Sequence, residues 1–211
     1  MERGTLGFCL VLVVIVALGA ASSAREMSAE MAQEIAAGQF EEIADWAHDE
    51  YHVDLNYERA VGWHHYDQCY GGAWIVFAPI TESIGWDEDE LGRYVTVVGA
   101  LYVQSSVDVL TFYEIGYDVL IPPGVYLITI QGEARNWLRA SYYDASGWLE
   151  LEGVAFAKPM PQSGGNEPTA CISWLPNTGL ILKVNYGGDW YPTMDVEIPF
   201  VTTWDREEPY E

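Results

Sequence analysis

Tyr94-Val95-Thr96-Val97-Val98-Gly99-Ala100-Leu101-Tyr102-Val103 is rich in β-branched and aromatic residues and contains no proline. Such residues fit a pleated, half-buried surface, so the run reads as a strand. Similar runs recur at Ala73–Ala78, Val107–Tyr113, Gly124–Gln131, Trp137–Tyr143, Trp148–Ala157, Thr169–Trp174, Gly179–Tyr186 and Met194–Phe200. Turn chemistry separates them: Pro122-Pro123-Gly124, Asp144-Ala145-Ser146-Gly147, Pro176-Asn177-Thr178-Gly179 and Gly187-Gly188-Asp189. These carry the residues that preset or tolerate turn dihedrals. Pro159–Pro168 is a longer Pro/Gly/Ser-rich loop. Many short strands with such turns predict a mainly β fold, an antiparallel β-sandwich that is jelly-roll-like.

Upstream of the strands the period changes. Glu26–His52 has no proline and is rich in Ala, Glu and Met, which predicts one N-terminal α-helix. Met27, Met31, Ile35, Phe40, Ile43 and Ala47 form its apolar stripe, with Trp46 beside it. Ser28 is its expected N-cap, and Gly38 is the expected point of any bend. A second helical turn is expected at Asp87-Glu88-Asp89-Glu90-Leu91, where Asp87 and Glu90 have capping-box spacing.

The first residues form an export signal. Arg3 precedes the apolar run Leu6–Ala21, and Ser22-Ser23-Ala24 offers the small residues that a signal peptidase requires. The run is short of the roughly 20 residues that a membrane span needs, so cleavage is the expected outcome. If retained, the leader would anchor the protein at a membrane. The chain therefore divides into a signal peptide (1–24), a helical segment (25–60), a β-sandwich domain (61–203) and an acidic tail (204–211). Its expected place is outside the cell or on its surface.

Charge narrows the partners. The 211 residues include 32 acidic and only 9 basic side chains, for a formal net charge of −23. Nucleic acid and anionic lipid are disfavoured, because both are held by basic side chains. In an exported chain Cys69 and Cys171 are a plausible disulfide pair. That bond would close a loop of roughly 100 residues, worth at most about 4–5 kcal/mol.

Two sets of residues carry candidate chemistry. His48, His52, His64 and His65 all fall in a short stretch, with Asp67 close behind. His48 and His52 stand four apart on the expected helix, a spacing that suits Zn²⁺. His48-Asp49-Glu50-Tyr51-His52 resembles the zincin pattern H-E-x-x-H, but the glutamate comes one place late and Asp49 holds its position. The plain alternative is a favourable interaction of these histidines with the helix C-terminus. No nucleophile motif of the G-x-S-x-G or S-x-x-K kind is present. No cofactor is therefore expected beyond a possible divalent ion, Ca²⁺ or Zn²⁺. The second set is aromatic. Tyr142, Tyr143, Trp148, Trp174, Trp190 and Tyr191 fall at strand ends and turns, where a ring can meet solvent and stack on a sugar. The alternative is that these rings fill a broad core.

His65-Tyr66-Asp67, the glycines Gly71-Gly72, the strand Ala73-Trp74-Ile75-Val76-Phe77, the segment Trp86–Tyr94 and Gly147-Trp148-Leu149-Glu150-Leu151 occur in a suggestive order. Over about 61–201 the chain resembles secreted and cell-surface β-sandwich modules of bacteria and archaea, of the cleaved-adhesin or jelly-roll type. Gln68-Cys69-Tyr70, between the Tyr-Asp and the glycines, departs from that pattern. The resemblance implies an extracellular binding or adhesion role without catalysis, with a glycan or a cell-surface protein as partner. The alternative is a small extracellular metal-binding protein or hydrolase built on the histidines.

Overall fold

Thr96 lies across from Ile130, Ile130 from Ala140, and Ala140 from Gly153, in one row over four antiparallel strands. The computed structural model describes residues 23–67, 71–82, 87–88, 94–104, 107–110, 118–134, 137–159, 167–175, 179–186 and 194–201. The elements are β1 (Ser23–Glu26), α1 (Ala29–Gln39), α2 (Glu41–Tyr51), a 3₁₀ turn (Tyr57–Arg59), β2 (Val61–Asp67), β3 (Gly71–Pro79), β4 (Asp87–Glu88) and β5 (Tyr94–Val103). There follow β6 (Val107–Leu110), β7 (Asp118–Ile121), β8 (Gly124–Ala134), β9 (Trp137–Tyr143), β10 (Leu149–Pro159), β11 (Thr169–Leu175), β12 (Gly179–Tyr186) and β13 (Met194–Val201). Strands dominate the described residues, so the fold is mainly β as expected.

The expected two-sheet sandwich is replaced by one sheet. Its ladder runs β1-β2-β3-β5-β8-β9-β10-β13-β12-β11. From β2 to β11 this is an antiparallel sheet of nine strands, nearly closed into a barrel. An odd count of antiparallel strands leaves β2 and β11 running the same way. They come together without a ladder, and Arg59 bridges the seam to Glu167 and to the carbonyl of Pro168. The last four strands lie in the order β10-β13-β12-β11, a Greek-key return. β10 and β6 share one edge of β13: β10 pairs with Met194–Glu197 and β6 with Phe200–Val201. Period two says only that one face of each strand is buried, which holds for a sandwich and a barrel alike.

Register sorts the side chains. Ile75, Phe77, Leu101, Ile128, Leu182 and Ile198 share the inner face and are buried. Ala78, Ala100 and Leu127 form a row on the opposite, outer face and are also fully buried. The helices cover that half of the outside: α1 packs on β2 and β3, and α2 on β5 and β8. Small side chains let them approach closely. A Cβ on Gly62 of β2 would stand 2.7 Å from the Met27 sulfur. Where no helix covers the outer face, cross-strand ion pairs occupy it. Lys183 lies 2.9 Å from Glu197 on the strand opposite, and Arg139 lies 3.1 Å from Glu152.

The single expected helix is two. Ser28 caps α1 as expected, its hydroxyl accepting from the Met31 N–H at 3.3 Å. The break comes at Phe40, not at Gly38: Phe40 leaves helical geometry (φ −99°, ψ 7°) and is fully buried. Burying that ring sets the angle between the helices. The buried stripe is Met27, Ala32, Ala36, Phe40, Ile43 and Ala47, whereas Met31 is 46% exposed. Asp87 and Glu88 are not helical either; they pair with Val95 and Tyr94. β1, β2 and β7 were not expected as strands. The expected cleavage point after Ala24 falls inside β1, which pairs with β2 from Ser23↔Tyr66 to Glu26↔Trp63. Residues 1–22 and the tail 204–211 lie outside the described residues. Among the described residues no helix is long and apolar enough to cross a membrane.

Candidate functional site

Asp144 organises the turn between β9 and β10. Its carboxylate accepts from the Ser146 N–H at 2.8 Å and from the Trp148 N–H at 3.0 Å. Its backbone N–H donates to the Trp148 carbonyl, and its carbonyl accepts from Gly147, each at 3.0 Å. An aspartate bonding the backbone just ahead of it is the usual device for fixing such a turn. Gly147 takes a left-handed conformation, φ +77°. A Cβ there would also stand 3.2 Å from the indole of Trp46. Glycine therefore meets both a dihedral and a close approach.

The fixed turn presents Trp148 and Leu149 to solvent, 73% and 46% exposed. Beneath it lies an aromatic layer. Trp46 of α2 meets Tyr51 edge-on at 5.6 Å and Tyr143 of β9 at 5.8 Å. Edge-on and tilted pairs of this kind are favourable beyond the area they bury. Burial pushes the Tyr51 hydroxyl up to about 12, with Tyr143 and Glu50 adding to the shift. Tyr126 is also raised, by burial and then by Glu150 and Asp144, and its hydroxyl donates to the Pro122 carbonyl at 2.9 Å. The turn thus holds a projecting indole above this aromatic layer, with the Asp144 carboxylate bonded to the Trp148 N–H.

Of the six aromatic residues expected to meet ligand, the structure brings Tyr143 and Trp148 to this turn. Tyr142 is corrected: it is fully buried on the inner face, since it lies across from Ile128 and alternates with the outward Tyr143. Among the described residues its hydroxyl has no hydrogen-bond partner, and neither has the Trp63 indole N–H, which is also buried. A buried polar group left unmet costs about 1–3 kcal/mol. Trp174 belongs to β11, opposite Leu180, but its side chain lies outside the described residues. Trp190 and Tyr191 lie outside them entirely. Sequence reasoning missed Trp46, Tyr51, Asp144 and Leu149 as parts of the site. Asp144 followed by Gly147-Trp148 was the available signal, because an Asx turn ending in glycine aims the next side chain outward.

The histidines take separate positions. His48 Nδ1 lies 3.0 Å from Asp54 Oδ1, with both side chains exposed. His52 closes α2 in a left-handed conformation (φ 56°), its N–H bonding the Ala47 and His48 carbonyls. His64, on β2, sets its ring edge-on to Trp74 at 5.6 Å. The backbones of His65 and Asp67 are opposite Ala73 and Gly71; their side chains lie outside the described residues. Among the described residues no group of three or more His, Cys, Asp or Glu is placed to hold a metal ion. Cys171 is exposed on β11, opposite Lys183, and Cys69 lies outside the described residues.

No family model, no curated protein and no solved structure matches the chain.

Proposed function

We propose that the protein is a secreted or cell-surface, non-enzymatic binding module, and that Trp148 is its contact with carbohydrate. The observation that carries this reading is an indole 73% exposed on a turn whose backbone is fixed by four hydrogen bonds to Asp144. A large ring held in place before binding stacks on a sugar without losing much freedom. The neighbouring Asp144 carboxylate, bonded to the Trp148 N–H, supplies an acceptor for hydroxyls near the ring. The export leader supports an extracellular setting, and the formal charge of −23 disfavours nucleic acid and anionic lipid as partners. Greek-key returns such as that of β10 to β13 are a general feature of jelly rolls, which is consistent with the resemblance of the sequence motifs.

A glycan array probed with the mature protein tests this. The expected result is a defined set of bound glycans, lost in Trp148→Ala. An array with no bound glycan, or one on which Trp148→Ala binds like the wild type, overturns the reading.

A further inference from the structure

The charges around Trp148 have one sign. Between Tyr143 and Leu151 the only charged residues are Asp144 and Glu150. The Asp144 carboxylate accepts from the Trp148 N–H at 3.0 Å and keeps its charge in doing so. Glu150 stands two residues beyond Trp148, exposed near the start of β10. Burial first, and then these two carboxylates, raise the Tyr126 hydroxyl, so both bear on one phenol. The helix beneath the turn adds to them. α2 carries Glu41, Glu42, Asp45, Asp49 and Glu50 and neither Lys nor Arg. After burial and Tyr143, Glu50 is a further cause of the raised Tyr51 hydroxyl, whose ring meets Trp46 edge-on.

No counter-charge offsets this. Arg59, Arg139 and Lys183 each pair with a carboxylate elsewhere, Glu167, Glu152 and Glu197. His48 of α2 lies 3.0 Å from Asp54. Among the described residues no ion pair reaches Asp144, Glu150 or Glu50. The field at the turn is therefore negative, within a protein of formal charge −23.

A field of this sign sorts sugars. Uronic, sialic and sulfated sugars carry anions and are repelled. A hexosamine with a free amine carries an ammonium on the ring that stacks. An ammonium over an indole is attracted by the ring quadrupole, and exposed carboxylates nearby add to that attraction. We infer that the carbohydrate taken at Trp148 is cationic, a glycan with free amino groups such as a glucosamine oligomer, selected by Asp144 and Glu150 over anionic and N-acetylated sugars. This rests on the reading of Trp148 as a sugar contact and names the class of sugar.

The test is calorimetric titration at low salt with a glucosamine trisaccharide and its N-acetylated counterpart, which keeps the rings and loses the charge. Wild type, Glu150→Gln and Trp148→Ala are compared, and a lysine tripeptide serves as a cation without a sugar. The glucosamine trisaccharide should bind the wild type about tenfold more tightly than the acetylated one. Glu150→Gln should narrow that preference about threefold and leave the acetylated sugar unaffected. Added salt should narrow it in the wild type. Trp148→Ala should bind neither trisaccharide, and the tripeptide should bind the wild type far more weakly than the glucosamine trisaccharide. Equal affinity for the two trisaccharides, or a preference for the acetylated one, overturns the inference and leaves sugar binding at Trp148 standing. Undiminished glucosamine binding by Trp148→Ala, or equal binding of the tripeptide, overturns it by reducing the attraction to charge alone. No binding of either trisaccharide overturns it as well, and the glycan array then decides whether Trp148 takes any sugar.

Discussion

Arg59 pairs with Glu167 across the seam where the first and last strands of the barrel meet. One residue stands just before β2 and the other just before β11, so a side-chain contact joins ends that no backbone ladder joins. The side chains are 37% and 61% exposed, so the pair itself is worth about 0.2–1 kcal/mol. Its larger effect is local. Arg59→Ala should lower global stability by no more than about 1 kcal/mol, while amide exchange in β11 quickens more than in β9. Hydrogen exchange read by mass spectrometry on the wild type and Arg59→Ala checks this, and high salt should bring the wild type towards the mutant.

The β9–β10 turn separates stability from display. Gly147→Ala forces an alanine into φ +77° and sets its Cβ 3.2 Å from Trp46. It should cost about 1–2 kcal/mol in urea unfolding. Trp148→Ala removes an exposed ring and should stay within about 0.5 kcal/mol of the wild type. Equal losses from the two would mean that Trp148 packs against the fold instead of facing solvent.

Phe40 and Gly38 make a matched pair at the helix break. Phe40→Ala empties a fully buried site between the two helices and should cost about 3–5 kcal/mol. Gly38→Ala meets no atom within 4 Å inside α1 and should stabilise by roughly 0.5–1 kcal/mol. Denaturant midpoints for both variants test the assignment of the break to Phe40.

Tyr51 gives the fold an alkaline limit. Its hydroxyl is raised from 10.0 to about 12 in the folded protein. The folded state therefore holds this proton after the unfolded chain has released it, and stability falls as pH rises. The contribution is complete below pH 10.0 and disappears as pH climbs through about 12. Tyr51→Phe cannot titrate, so between these limits it should lose less stability than the wild type in urea melts run at successive pH values.

The strands, their alternation and most of their turns could be read from the chain, because period two and Gly/Pro chemistry are local signals. Closure could not. Whether β11 returns to β2 depends on pairings such as Ala157↔Val196, made between segments far apart in sequence. The helix break was hidden for a related reason: Phe40 is an ordinary helix residue until a buried pocket claims it. Alternation shows that Tyr142 and Tyr143 face opposite ways but not which one faces in; Trp46, packed on Tyr143, decides it. The Gly147-Trp148 turn was visible, yet its support by Trp46 and Tyr51 came from a helix far upstream. The histidines show the converse, since residues close in sequence were carried to the end of α2 and the middle of β2.

Calorimetry on the strongest array glycan, with wild type, Trp148→Phe and Trp148→Ala compared at matched folding, tests the proposed site most directly. The expected result is that Trp148→Phe keeps most of the affinity and Trp148→Ala loses about 2 kcal/mol or more of it, as a central indole contact would. Undiminished affinity in Trp148→Ala would contradict the assignment of this turn as the binding site.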